Sequence, residues 1–110
     1  MLFGSINCND RNNGLVLRQI MREENGTVFK RVYAMPEDPE KELVEVYFEN
    51  GTVKEQYCRK NGQLNGFRLT YYSNGQVSES GNWRDNQRSG LFLYYKTDGA
   101  LDCSQNYSGM

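Results

Sequence analysis

The sequence predicts an all-β protein, an antiparallel meander of repeated β-hairpins forming a single open, curved sheet. Three observations carry this. Turn glycines recur at Gly26, Gly51, Gly75 and Gly99, spaced 25, 24 and 24 residues apart, and a period of that length marks a repeat architecture. Apolar columns keep phase with them: Leu43, Phe67 and Leu91 stand eight residues before a turn glycine, Tyr47, Tyr71 and Tyr95 four before, and Val28, Val53, Val77 and Leu101 two after. Between glycines the chain alternates, as in Phe67, Leu69 and Tyr71 separated by Arg68 and Thr70, which is the period of a strand.

The columns also set the turn length. A two-residue loop at Asn74-Gly75 would split Tyr71 and Val77 between the faces of the sheet. A three-residue loop, Ser73-Asn74-Gly75, ending in a left-handed glycine with a bulge, pairs Tyr71 with Val77, Tyr47 with Val53 and Tyr95 with Leu101. The second turn of each unit, at residues 60–66 and 84–90, reads as looser.

With 110 residues the chain makes one domain. Residues 1–13 are Asn-rich and read as an amino-terminal cap. Residues 14–34 form a divergent first repeat in which Arg22 replaces the usual Tyr; terminal repeats are often atypical because they face solvent. Over residues 15–24 a helical face (Val16, Leu17, Ile20, Met21) competes with the strand reading, against which stands Glu24-Asn25-Gly26-Thr27-Val28, near-identical to Glu49-Asn50-Gly51-Thr52-Val53. Residues 35–42 hold Pro36 and Pro39 amid Glu37, Asp38, Glu40 and Glu42 and read as an acidic loop, since prolines are excluded from central strands. Three regular units follow within residues 43–110.

Composition narrows function. Thirteen Lys and Arg against 14 Asp and Glu give a net charge of −1, so direct nucleic-acid binding is not expected. Neither a membrane-spanning run nor a Lys/Arg stripe for a membrane surface is present. Cys8, Cys58 and Cys103 lack any Cys-x-x-Cys spacing and read as reduced thiols of a cytoplasmic protein. The absence of histidine removes the Ser-His and Cys-His routes to a nucleophile. No catalytic motif appears, so neither enzymatic activity, a cofactor nor a metal is expected.

The phrase from Gly81-Asn82-Trp83 through Ser89-Gly90 to Asp98-Gly99 resembles the MORN repeat, and more closely its short bacterial variant. The preceding unit carries the same resemblance through Asn61-Gly62-Gln63-Leu64-Asn65-Gly66, Tyr71-Tyr72 and Asn74-Gly75-Gln76-Val77. The likeness covers residues 43–107 well and 14–34 loosely. Many bacterial proteins of this variant are grouped as YwqK-type antitoxins, and small immunity proteins look similar. The resemblance therefore implies a protein that binds and neutralises a toxin. The chain is expected to be a monomer when free. Eukaryotic MORN proteins imply the alternative, a non-enzymatic scaffold.

Alternation places Leu43, Val53, Phe67, Leu69, Tyr71, Val77, Trp83, Leu91, Leu93 and Tyr95 on one face. The other carries Val44, Val46, Phe48, Tyr72, Phe92 and Tyr94 among polar residues. Curling of the sheet would bury both faces in part. Phe48, Tyr72, Phe92 and Tyr94 also have the composition of a protein-docking surface, and Glu37, Asp38 and Glu40 could steer or occupy the phosphate site of a cationic nuclease toxin.

Overall fold

A computed structural model describes residues 15–107; the cap expected over residues 1–13 lies outside them. Eight strands follow one another: β1 (Val16–Arg22), β2 (Val28–Met35), β3 (Asp38–Tyr47), β4 (Val53–Lys60), β5 (Gln63–Tyr71), β6 (Val77–Arg84), β7 (Gln87–Tyr95) and β8 (Leu101–Asn106). They pair antiparallel in sequence order, with β1 and β8 as the outermost strands of one open sheet among the described residues. Residues 15–24 make strand β1, not the helix that competed for them. Arg18 is bulged out of the β1–β2 ladder, which absorbs part of the extra length of this repeat.

The long-period turns are as the columns require. Gly26, Gly51, Gly75 and Gly99 have φ of 92°, 91°, 92° and 94°, a region that favours glycine. Each ends a three-residue loop closed by backbone bonds, such as Tyr72 N donating to Gln76 O at 2.8 Å and Gly75 N donating to Tyr72 O at 3.0 Å. The residue before each glycine caps the loop: Asn25, Asn50, Asn74 and Asp98 accept from the amide two residues on at 2.9 Å, the local bond Asn and Asp form in turns. Tyr47 pairs with Val53, Tyr71 with Val77 and Tyr95 with Leu101.

The other turns are tighter than expected. Lys60 pairs with Gln63 and Arg84 with Gln87, leaving two-residue loops whose residues all have positive φ: Asn61 52°, Gly62 81°, Asp85 50° and Asn86 70°. This is the primed turn that suits strand twist, and Asn substitutes for Gly in it. The acidic loop expected over residues 35–42 is likewise a two-residue turn, Pro36-Glu37, followed by the first half of β3. Pro39 is tolerated there because β2 pairs with Asp38 and then with Glu42, so the residues between face no β2 partner and the missing amide breaks no ladder bond.

The buried apolar cluster on one face is Met35, Leu43, Cys58, Phe67 and Leu69, with Leu15, Tyr33, Tyr71 and Val77 partly buried against it. Beside it Glu45, only 1% exposed, accepts from Tyr47 Oη at 2.6 Å and from Gln56 Nε2 at 2.8 Å, and Gln56 accepts from Tyr71 Oη at 2.8 Å. These bonds offset the desolvation of a buried carboxylate. Adjacent residues Leu43 and Val44 are both fully buried, so both faces are covered mid-sheet; the extents of 37 × 31 × 24 Å fit a curled sheet, far thicker than a flat one. Cys58 is disulfide-bonded, which corrects the reading of reduced thiols; Cys103 is free and exposed.

Trp83 is on the face opposite to the one expected. Tyr71 pairs with Val77 but Thr70 pairs with Glu79, so Ser78 is bulged and inward–outward parity inverts between Val77 and Glu79. Asn82 therefore takes the Phe67 face and Trp83 joins Phe92. Leu91, expected in the apolar face, is 55% exposed, next to the β8 edge.

Phe92 lies directly on Gly81. A Cβ at position 81 would stand 2.3–2.5 Å from the Phe92 ring, so only glycine lets the two strands close around it. Overpacking costs about 1–3 kcal/mol. Gly81→Ala is expected to lower the urea-unfolding free energy by about that amount, and by less in a Phe92→Leu background. Equal costs in both backgrounds would contradict this packing.

Candidate partner-binding face

The residues expected to form one site divide between two ends of the sheet. Glu37, Asp38 and Glu40 stand at the rim of the tight turns. Glu37 and Glu40 are exposed; Asp38 is held by Lys60 Nζ at 3.2 Å and accepts from Glu40 N at 3.2 Å, and Lys60 keeps its carboxyl below the usual carboxylate range. Phe48 and Tyr72 follow the far ends of β3 and β5. β3 has ten residues, which puts roughly 30 Å between these ends at ~3.3 Å per residue.

Phe48 is half-buried with Lys54 Nζ 5.9 Å from its ring centroid. Tyr72 donates from Oη to Tyr95 O at 2.6 Å, stitching neighbouring hairpins. Phe92 is corrected as a contact residue. Its side chain is 0% exposed, sealed by Gly81 beneath and by Trp83, Tyr94 and Tyr107 at centroid distances of 6.0, 6.5 and 5.0 Å.

Tyr94 is half-buried in that aromatic cluster, which is organised by Arg88. The guanidinium carbon lies 5.4 Å from the Trp83 ring, 5.3 Å from Phe92 and 5.5 Å from Tyr107, and Arg88 donates to Tyr107 Oη at 3.1 Å. Cation–π contact and packing of the aliphatic stem act together here. Tyr94 and Tyr107 hydroxyls meet at 3.5 Å. The hydrogen bond to Tyr94, then the Arg88 guanidinium, lower the Tyr107 pKa, while the bond to Tyr107, then burial, push Tyr94 up to about 12.

Sequence reasoning missed the residues between these groups. Next to the cluster, Glu55, Tyr57, Arg59, Leu64, Arg68 and Trp83 line an open cleft of about 460 Å³, with Gly62 and Asn86 at its turn end. Neighbouring turns fix that end: Leu64 N donates to Asn86 Oδ1 at 2.8 Å and Asn86 N donates to Leu64 O at 3.0 Å. Cross-strand ion pairs fix the charged walls. Arg59 Nε holds Glu42 at 2.8 Å, Arg18 reaches the same carboxylate at 2.6 Å, and Arg68 Nε holds Glu55 at 2.9 Å. Burial works to raise the Glu42 pKa, but Arg59 and Arg18 outweigh it and hold the carboxyl below its ordinary value. Burial raises the Tyr57 hydroxyl. The signal for this cleft was Trp83, misplaced by the bulge at Ser78.

No protein-family model and no curated protein matches the chain. Among solved structures, it is similar to S. aureus TarM, seen as a mutant in complex with Fondaparinux, alpha-GlcNAc-glycerol and UDP, at 8% identity and a TM-score of 0.55 over 90% of this chain and 21% of that one. A second TarM crystal structure matches at 7% identity and a TM-score of 0.54, over 91% of this chain and 22% of that one. The chain thus spans about a fifth of the TarM length, and the likeness shows the fold alone.

The Tyr94–Tyr107 pair predicts a pH signature. As pH rises, Tyr107 loses its proton first, because the Tyr94 hydroxyl and then Arg88 stabilise its phenolate, and the bond to that phenolate keeps Tyr94 protonated. Tyr107→Phe is expected to return Tyr94 toward the ordinary tyrosine range of ~10, read by NMR titration of the ring carbons; an unchanged Tyr94 would contradict the coupling.

Proposed function

We propose that this chain acts by protein binding, as an antitoxin or immunity protein that covers the active site of a cognate toxin. The observation that carries the reading is the Trp83 face. Half-buried Tyr57, Trp83, Tyr94 and Tyr107 are interleaved with guanidinium groups already fixed by ion pairs, the residue types that dominate protein interfaces. Side chains so held lose little entropy on docking. The resemblance to bacterial MORN-variant antitoxins supports the same reading, and the exposed Glu37 and Glu40 suit a cationic nuclease toxin.

A scaffold is the second reading, favoured by the exposed edge residues Val16, Leu17 and Ile20 of β1 and Leu101 of β8, because an unpaired strand edge is a template for further pairing. The disulfide at Cys58 is the form of cysteine that oxidising compartments retain, so a cytoplasmic address does not follow from the cysteines.

Co-expression tests the proposal. The carboxyl-terminal domain encoded by the large open reading frame immediately upstream is induced with and without this chain, and growth is followed. Neutralisation predicts rescue by the wild type and weakened rescue by Tyr94→Ala, or by Glu37→Gln with Glu40→Gln, each shown folded by circular dichroism. Toxicity indifferent to this chain would sink the antitoxin reading and leave the scaffold.

A further inference from the structure

The cleft beside Trp83 has a more definite chemistry than a generic docking surface. Its volume of about 460 Å³ lies in the range of about 300–1,000 Å³ that encloses small ligands or single side chains. Two of its walls are guanidinium groups anchored from behind: Arg59 to Glu42 and Arg68 to Glu55, each through Nε. The Nε anchor of Arg68 orients the group while sparing its two terminal nitrogens, which have no acceptor among the described residues; Arg59 also meets the Tyr57 hydroxyl. A planar guanidinium presented this way matches a carboxylate.

The remaining walls suit what a carboxylate is attached to. Tyr57, Leu64 and Trp83 supply apolar surface, and the Trp83 indole N–H itself is buried without a hydrogen-bond partner, so the ring meets the cleft with its carbon atoms. The charge balance favours a singly charged anion. The charged residues that line the cleft are Arg59 and Arg68 against Glu55, an excess of one positive charge that a single carboxylate neutralises and a doubly charged phosphate exceeds.

We infer that this cleft receives an acidic side chain, Glu or Asp, of a protein partner. The carboxylate sits between the Arg59 and Arg68 guanidinium groups and its methylene stem lies against Trp83 and Tyr57. That the side chain comes from a protein rests on the protein-binding reading above; the anion chemistry does not.

Trp83 is the one tryptophan of the chain, so its fluorescence reports on the cleft directly. A capped pentapeptide with a central Glu, its Gln counterpart and inorganic phosphate are titrated into the full chain. A saturable change with the Glu peptide is expected, with binding at least tenfold weaker for the Gln peptide, for phosphate, and for the Glu peptide on Arg68→Gln. Arg59→Gln serves as the second variant, and circular dichroism confirms that each is folded. Equal binding of the Gln peptide or of phosphate, or undiminished binding by both folded variants, would overturn the inference. Co-expression separates the two failures. If the wild type and folded Arg68→Gln rescue growth equally, the cleft assignment falls and the protein-binding reading stands. If the wild type fails to rescue while the Glu peptide binds with the stated selectivity, the neutralisation reading falls and the acidic side-chain site stands.

Discussion

Each three-residue turn ends in a left-handed glycine, and the strand that leaves it carries one extra residue. Phe29, Lys54, Ser78 and Asp102 are the residues skipped in the four ladders. A single skipped residue inverts which side chains point to which face for the rest of the strand. The first residue of the strand, Val53, Val77 or Leu101, thus pairs with a tyrosine in the apolar column, while residues further along swap sides. Because all four hairpins make the same inversion, the sheet remains consistent, and the turns determine which side chains share a face.

The two faces then differ in kind. One is an apolar cluster centred on Leu43, Cys58 and Leu69, with a hydrogen-bond chain through Glu45, Gln56 and Tyr71. The other is a row of cross-strand ion pairs flowing into an aromatic cluster around Arg88. Close approach on that second face requires a glycine at position 81, where Phe92 occupies the space of a side chain. Its aromatic residues are sealed at the centre and half-exposed at the periphery, and its guanidinium groups are held in place by carboxylates, an arrangement that reduces the ordering cost of binding.

Much of this was legible in the sequence. The glycine columns gave the number of hairpins, the loop length and the pairing of Tyr47, Tyr71 and Tyr95 with their partners, because a left-handed turn has few chemical solutions. Trp83 and Phe92 were harder. The bulge expected after the Ser73-Asn74-Gly75 loop inverts the alternation along β6, and strict alternation carried past it puts Trp83 on the wrong face. Phe92 looked available because nothing in a linear pattern shows that Gly81, on the neighbouring strand, makes room for it. The turns at Asn61-Gly62 and Asp85-Asn86 are tighter than their polar surroundings suggest, because the strands resume at once with Gln63 and Gln87. Pro39 masked the start of β3, since its tolerance depends on a local loss of pairing that only the ladder reveals.

The most direct test of this account is a nuclear Overhauser experiment on the Trp83 indole protons, since the parity inversion at Ser78 places that ring. The account predicts cross-peaks to the Phe92 ring and to the Arg88 side chain. Cross-peaks from Trp83 to Phe67 or Leu69 instead would mean that β6 keeps simple alternation, and the cleft formed by Tyr57, Arg59, Arg68 and Trp83 would not exist.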